Sequence, residues 1–235
     1  MISSILVANR GEIAVRIVRA CRELGIRSVV AFSEADRNSL SVQMADHAVC
    51  IGASPAADSY LNVSNIVSAA VLSHCDAVHP GVGFLSENAR FAGEVADAGL
   101  IFIGPPGETI ALLGDKVQAK QTAIGQKVPV IPGSTGSVDD VDAARKAAAE
   151  IGFPVIVKAA AGGGGKGMRI CHREEDLAGI LQIASSEAQK AFSDGTVYLE
   201  KYLTSPRHVE LQVIADTQGN VVHLGERDCS VQENH

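Results

Sequence analysis

Val155-Ile156-Val157-Lys158-Ala159-Ala160-Ala161-Gly162-Gly163-Gly164-Gly165-Lys166-Gly167-Met168-Arg169-Ile170-Cys171 reads as an apolar strand carrying a lysine, a glycine run, and a second apolar strand. Glycine loses more conformational freedom on folding than any other residue, so five glycines in the six positions 162–167 need a reason. The commonest is that backbone N–H groups must approach a polyanion without side chains in the way, and the flanking lysines suit phosphate. A P-loop is excluded, because Lys166 is followed by Gly167 rather than Ser or Thr, and Ala160 stands where its first glycine belongs. The literal Gly-x-Gly-x-x-Gly at Gly162, Gly164 and Gly167 is not a dinucleotide turn either, since a strand and not a helix follows it. Strand, glycine loop, strand is the pattern of a flap folded over nucleotide phosphates.

Working outward, the alternation of elements on the N-terminal side sets the fold class. An apolar strand over 4–8 is followed by helical spacing of Ile13, Ile17, Ala20, Cys21 and Leu24, which Gly25 stops. Strands at 29–32, 48–51, 77–79 and 100–103 alternate with helices at 62–73 and 87–95, the pattern of a doubly wound parallel sheet. Its first crossover has Asn9-Arg10-Gly11-Glu12 where a dinucleotide site has three glycines, so nothing there argues for NAD. The glycine- and proline-rich stretch 125–137 reads as a linker. Beyond it come a helix over 139–151, the lysine strand, the glycine loop, the strand 168–171, a helix over 176–189 and a strand 197–199 that ends in Glu200-Lys201-Tyr202-Leu203. Strands at 209–215 and 220–224, joined by Asp216-Thr217-Gln218-Gly219, read as a hairpin with apolar residues such as Val213, Val221 and Leu224 expected to be exposed.

Composition narrows the partners. The 235 residues are 46% hydrophobic and carry a formal charge of −7, with 4% aromatics and no tryptophan. That leaves neither the basic footprint nor the stacking surface of a nucleic-acid binder. The short apolar start meets Asn9-Arg10-Gly11 too soon for a signal peptide or a membrane span, so no membrane association and a cytoplasmic location are expected. Cys21, Cys50, Cys75, Cys171 and Cys229 form no Cys-x-x-Cys pair and read as reduced core thiols.

Several separated motifs now fall into one order. Ile5-Leu6-Val7-Ala8-Asn9-Arg10-Gly11-Glu12-Ile13-Ala14, His79-Pro80-Gly81, Gly83-Phe84-Leu85-Ser86-Glu87-Asn88, Ile103-Gly104-Pro105, Gly114-Asp115-Lys116, the Lys158 strand with its glycines and Glu226-Arg227-Asp228-Cys229-Ser230 together resemble biotin carboxylase, an ATP-grasp ligase. The resemblance spans the chain and reaches about the first half of such a subunit. It implies an N-terminal doubly wound domain over 1–115, a linker helix region over 116–129, an α+β ATP-grasp lid over 130–203 and the start of an incomplete C domain over 204–235.

The resemblance also assigns roles. Lys116 and Lys158 match lysines that hold ATP phosphates, in keeping with the value of a positioned cation beside developing phosphate charge. Gly163, Gly164 and Gly165 belong to the lid loop, and Met168 matches a residue packed on the adenine. Glu200, Lys201, Tyr202 and Leu203 match the hinge that meets the base, and His208, Gln232 and His235 match positions lining the nucleotide site. Glu210, on the same strand face as His208 by the period of two, is a further wall candidate. The implied reaction is ATP-dependent carboxylation of biotin with bicarbonate, with Mg2+ held by ligands outside this chain. The implied partners are a biotin carboxyl carrier domain, a carboxyltransferase component and a second copy meeting through Arg19 and Glu23.

Three departures from the family pattern stand out: Val82 replaces a tyrosine, Ala161 replaces the first glycine of the run, and Gln232-Glu233-Asn234-His235 lacks two arginines. No residue of this chain matches the family's metal ligands, bicarbonate-binding residues or base, so no catalytic residue is assigned and the isolated chain is expected to be inactive. The alternative reading is a non-catalytic nucleotide-binding or assembly module. A carbamoyl-phosphate synthase relative is disfavoured, because the 83–88 and 226–230 segments resemble the biotin-dependent branch more closely.

Overall fold

The structure is a computed structural model that describes residues 2–138, 140–160 and 168–230. It contains two compact units, Met1–Gly114 and Asp115–His235.

In the first unit β1 (Ser4–Val7) leads into α1 (Gly11–Glu23), followed by β2 (Arg27–Ser33), the short α2 (Leu40–Met44) and β3 (His47–Gly52). Then come α3 (Val63–Leu72), β4 (Ala77–His79), α4 (Ala89–Asp97), β5 (Ile101–Phe102) and α5 (Gly107–Gly114). All five strands are parallel, in the order β3-β2-β1-β4-β5, which is the expected doubly wound sheet. Alternation along β1 divides the core: Leu6 faces a cluster with Ile66, Phe91 and Val95 from α3 and α4, while Ile5 and Val7 face Ala14, Ile17, Val18 and Cys21 of α1. The helices start where the sequence supplies a cap, with the Asn62 and Asn88 side chains accepting the N–H groups of Asn65 and Phe91. After α1 the left-handed turn expected of Gly25 is present, at φ +67°.

The second unit opens with α6 (Lys116–Gly125) and α7 (Val141–Ile151), then β6 (Val155–Ala159), β7 (Met168–Cys171), α8 (Leu177–Phe192) and β8 (Val197–Lys201). The three strands pair antiparallel in the order β7-β6-β8. One face of this sheet, through Val155, Val157, Cys171, Val197 and Leu199, packs on Ala144 and Ala148 of α7 and Leu177, Leu181 and Ala184 of α8. A hairpin of β9 (Val209–Ala215) and β10 (Val221–Asp228) completes the described chain.

Four local readings need correction. The stretch 125–137 is no free linker: Lys201 N–H donates to Pro132 O, Ser134 N–H to Leu199 O and Val138 N–H to Val197 O, so 132–138 runs along the edge of β8. An extended strip rich in Pro and Gly breaks helical periodicity whether or not it is paired, so the sequence does not separate the two cases. β8 continues two residues past Leu199, because Glu200 and Lys201 still pair with Ile156 and Val155 of β6. β10 reaches Asp228 instead of ending at 224, because a register shift between His223 and Glu226, with Gly225 at φ +91°, carries the chain across an apparent break. Of the five free thiols only Cys21, Cys75 and Cys171 are buried; Cys50 lies exposed on the edge strand β3, and Cys229 is half-buried. The hairpin's apolar residues are exposed as expected, with Val213 at 52%, Val221 at 65% and Leu224 at 66%.

Candidate functional site

The site begins with the register of β6. Because Val155, Val157 and Ala159 turn into the core, Ile156 and Lys158 must face the other side of the sheet. On β8 the same alternation buries Val197 and Leu199 and leaves Tyr198 and Glu200 on the Lys158 face, with Lys158 opposite Tyr198 and Ile156 opposite Glu200. Lys158 therefore reaches diagonally across the pair, and its Nζ donates to Glu200 Oε2 at 2.6 Å.

A second lysine reaches the same carboxylate from α6. The Asp115 side chain accepts the N–H of Gln118 at 2.8 Å and starts that helix, which places Lys116 in its first turn and Lys120 one turn on, on the same face. Lys120 Nζ donates to Glu200 Oε1 at 3.0 Å. The three ion-pair side chains are largely sheltered, at 16% exposure for Lys120, 24% for Lys158 and 12% for Glu200.

The electrostatics follow from this crowding. Burial works to raise the Glu200 carboxyl, yet the hydrogen bonds from Lys158 and Lys120 outweigh it and hold the group below the usual glutamate range. Tyr198 is pushed up to about 12, by burial first and by the Glu200 charge second. The Lys116 side chain is exposed, but desolvation lowers its pKa, and the neighbouring Lys158 lowers it further against the opposing pull of Glu200. One carboxylate among three lysines leaves a net positive site at the end of the strand that enters the glycine run.

The remaining hinge residues have structural partners. The Lys201 ammonium donates to the carbonyls of Gly152 and Phe153, both at 2.9 Å, while Tyr202 N–H donates to Pro154 O and its ring meets His172 edge-on. Leu203 is exposed at 44%, and Met168, opposite Lys158 on β7, at 40%. His208 precedes β9, its N–H bonded to Ser230 Oγ and its Nε2 3.9 Å from Glu210, the strand-face neighbour expected from the sequence. Asp228 pairs with Arg207, and hydrogen bonds from Ser230 first and Arg207 second hold its carboxyl down to about 2. The expected roles of Gly163, Gly164, Gly165, Ala161, Gln232, Glu233 and His235 lie outside the described residues. Lys120 was not legible in advance: its only signal is the spacing of four from Lys116.

In the first unit the loop after β4 closes against the loop after β1. Buried Asn9 donates through Nδ2 to Pro80 O at 2.7 Å and Val82 O at 2.9 Å. Gly81, at φ +68°, leaves room for this contact, since a Cβ there would come within 2.7 Å of Asn9 Nδ2. Val82 itself is exposed, and Arg19 and Glu23 are exposed on α1. His79 Nδ1 accepts the Gly81 N–H at 3.1 Å, and burial lowers its pKa. A histidine depressed below its unfolded value of about 6.5 favours the neutral folded state. Its contribution is therefore complete above that value and is lost as pH falls through the folded pKa. The urea midpoint of the first unit is expected to drop on going from pH 7.5 to 5.5, and less so in His79→Gln, as followed by circular dichroism; an equal drop in both would remove His79 from the account.

A doubly wound parallel domain followed by an antiparallel sheet, one of whose strands carries a lysine and leads in sequence into a glycine run, is the layout of an ATP-grasp ligase. Residues 1–110 match the family model "Biotin carboxylase, N-terminal domain", and residues 115–235 match "Carbamoyl-phosphate synthase L chain, ATP binding domain". Biotin carboxylase 1 of Bacillus subtilis is 54% identical over 232 residues, covering 99% of this chain and 52% of the relative. The 2-oxoglutarate carboxylase small subunit of Hydrogenobacter thermophilus is 49% identical over 235 residues, covering 100% and 50%. Among solved structures, the Campylobacter jejuni biotin carboxylase complex with β,γ-ATP superposes with a TM-score of 0.93 at 51% identity, over 99% of this chain and 52% of that one. The chain belongs to the biotin carboxylase family. It spans about half the length of the curated relatives it matches. No helix among the described residues is long and apolar enough to cross a membrane.

Proposed function

We propose that this chain is the nucleotide-binding part of a biotin carboxylase, with residues 130–203 as the lid over the phosphates. The observation that carries the reading is the sheltered lysine cluster around Glu200, set at the end of the strand that enters the glycine run. Lys158 and Lys116 supply positive charge for the ATP phosphates, and the glycine N–H groups of 162–167 supply further donors. Met168 packs on the base and the backbone of the 200–203 strand end meets its edge, which leaves the Glu200 side chain to Lys120 and Lys158, with His208, Gln232 and His235 along the wall.

In the whole enzyme bicarbonate attacks the γ-phosphate and displaces ADP to give carboxyphosphate, which splits into CO2 and phosphate; the CO2 is captured at a biotin ureido nitrogen on the carrier domain as that nitrogen gives up its proton. A carboxyltransferase then uses the carboxybiotin. Mg2+ supplies neutralisation of phosphate charge when bound. Among the described residues no group of three or more His, Cys, Asp or Glu side chains is placed to hold a metal, so none is assigned to it. The Hydrogenobacter thermophilus 2-oxoglutarate carboxylase biotin carboxylase domain, 50% identical and with a TM-score of 0.91 over 99% of this chain and 51% of that one, is a dimer in complex with MgADP, ADP and bicarbonate. A similar dimer is proposed for this protein, meeting through Arg19 and Glu23, which are exposed on α1.

Titration of the chain with ATP and Mg2+, followed by amide NMR, is the test. Shifts are expected at Lys116, Lys158, Met168, residues 200–203 and His208. No shifts, or shifts confined to residues 1–114, would overturn the reading.

A further inference from the structure

We infer that Lys120 is a positioning residue for the phosphate site: by taking half of the Glu200 carboxylate, it keeps the Lys158 ammonium available to a phosphate. The inference rests on the proposed phosphate role of Lys158 and deepens it. Each Glu200 oxygen has its own lysine, Oε1 with Lys120 at 3.0 Å and Oε2 with Lys158 at 2.6 Å. The carboxylate is only 12% exposed, so water cannot readily replace a departing cation. Were Lys158 its only counterion, a phosphate recruiting Lys158 would strand a sheltered negative charge, and breaking such a pair is strongly unfavourable. With Lys120 in place the carboxylate stays paired when Lys158 turns to the ligand.

The surroundings are shaped for this arrangement. Asp115 starts α6 so that Lys120 falls one turn after Lys116, and the backbone leaves a space for its ammonium at Gly133, where a Cβ would lie 2.5 Å from Lys120 Nζ. Burial of a third lysine beside two that already crowd one another has no packing rationale of its own; it has one if Glu200 must be satisfied twice.

The experiment is calorimetric titration with ATP and Mg2+ of the 235-residue chain and five variants: Lys158→Gln, Lys120→Met, Lys120→Arg, Glu200→Gln, and Lys120→Met combined with Glu200→Gln. Lys120→Met is expected to weaken binding about tenfold, a coupling within the range seen for contacting charges. Lys120→Arg keeps the charge and restores binding. Removing the Glu200 charge removes the need for Lys120, so Glu200→Gln binds more tightly than the parent and the double variant binds like Glu200→Gln. A merely structural Lys120 would leave the double variant as weak as Lys120→Met, and that result overturns the inference, as does wild-type binding by Lys120→Met. If Lys120→Met does not fold, Glu200→Gln decides: tighter binding supports the inference, and unchanged or weaker binding overturns it. Failure of the underlying reading has a different signature, namely absent ATP binding by the parent chain or wild-type binding by Lys158→Gln.

Discussion

Replacing Lys158 by Gln is expected to weaken ATP binding by about 2 kcal/mol, roughly thirtyfold, the scale of losing one hydrogen bond to a charged group. The glutamine keeps a polar head near the end of β6 but supplies no net charge, and the strand register fixes where that head can reach. The phosphate loses its cation, while Glu200 stays paired with Lys120 and adds no uncompensated charge of its own. Lys116→Gln should weaken binding less, because that side chain is exposed and water competes for its charge. Titration calorimetry with ATP and Mg2+ measures the difference, with a urea melt of each variant to show that the second unit is intact. Wild-type affinity in Lys158→Gln would remove phosphate binding from this face of the sheet.

The parts of the fold that were legible in the sequence are those with short-range causes. Runs such as Ile5-Leu6-Val7 and Val29-Val30-Ala31-Phe32 are too short for helices and rich in β-branched residues, so they read as strands buried on both faces, and parallel order follows from the helices between them. Periodicity locates the helices but not their first residues: Asn88 and Asp140 cap α4 and α7 by accepting N–H groups within the next turn, so these helices begin at Ala89 and Val141 and not at 87 and 139. What was not legible depends on partners far along the chain. Whether 132–138 is a linker or an edge strip depends on β8, more than sixty residues away by the Leu199 and Ser134 hydrogen bond. Lys120 and Glu200 are 80 residues apart, so neither spacing nor composition joins them. α5 is not legible because its apolar residues, Ile110, Ala111, Leu112 and Leu113, run consecutively and form no helical stripe, and of them only Ile110 is buried. For Lys158 the glycine run marks the strand as unusual, whereas the carboxylate that holds its ammonium appears only once the register is known.

Gly133→Ala is expected to destabilise the second unit by about 3 kcal/mol, the upper range for forcing extra atoms into a packed site. The cause is steric and not conformational, since Gly133 is not among the residues with positive φ. A Cβ there would sit 2.5 Å from the carbonyl oxygen of Leu199 and 3.1 Å from Glu200 Cγ. The third close atom, Lys120 Nζ at 2.5 Å, is the end of a flexible side chain and can swing aside, but the Leu199 carbonyl belongs to β8 and already accepts the Ser134 N–H at 2.9 Å. The strip must therefore lift from the strand. Lifting it breaks the bonds from Lys201 N–H to Pro132 O and from Val138 N–H to Val197 O, and with them the reciprocal bond from Leu199 N–H to Ser134 Oγ. Gly136→Ala is the matched control, because a Cβ at that position meets no atom within 4 Å and should leave the unit's stability close to that of the parent. Urea unfolding compares the two, and hydrogen exchange at Ser134, Val138 and Lys201 locates the damage. Equal midpoints for both variants would mean that the strip does not seat against β8, and the shelter around Glu200 and Lys120 would then need another source.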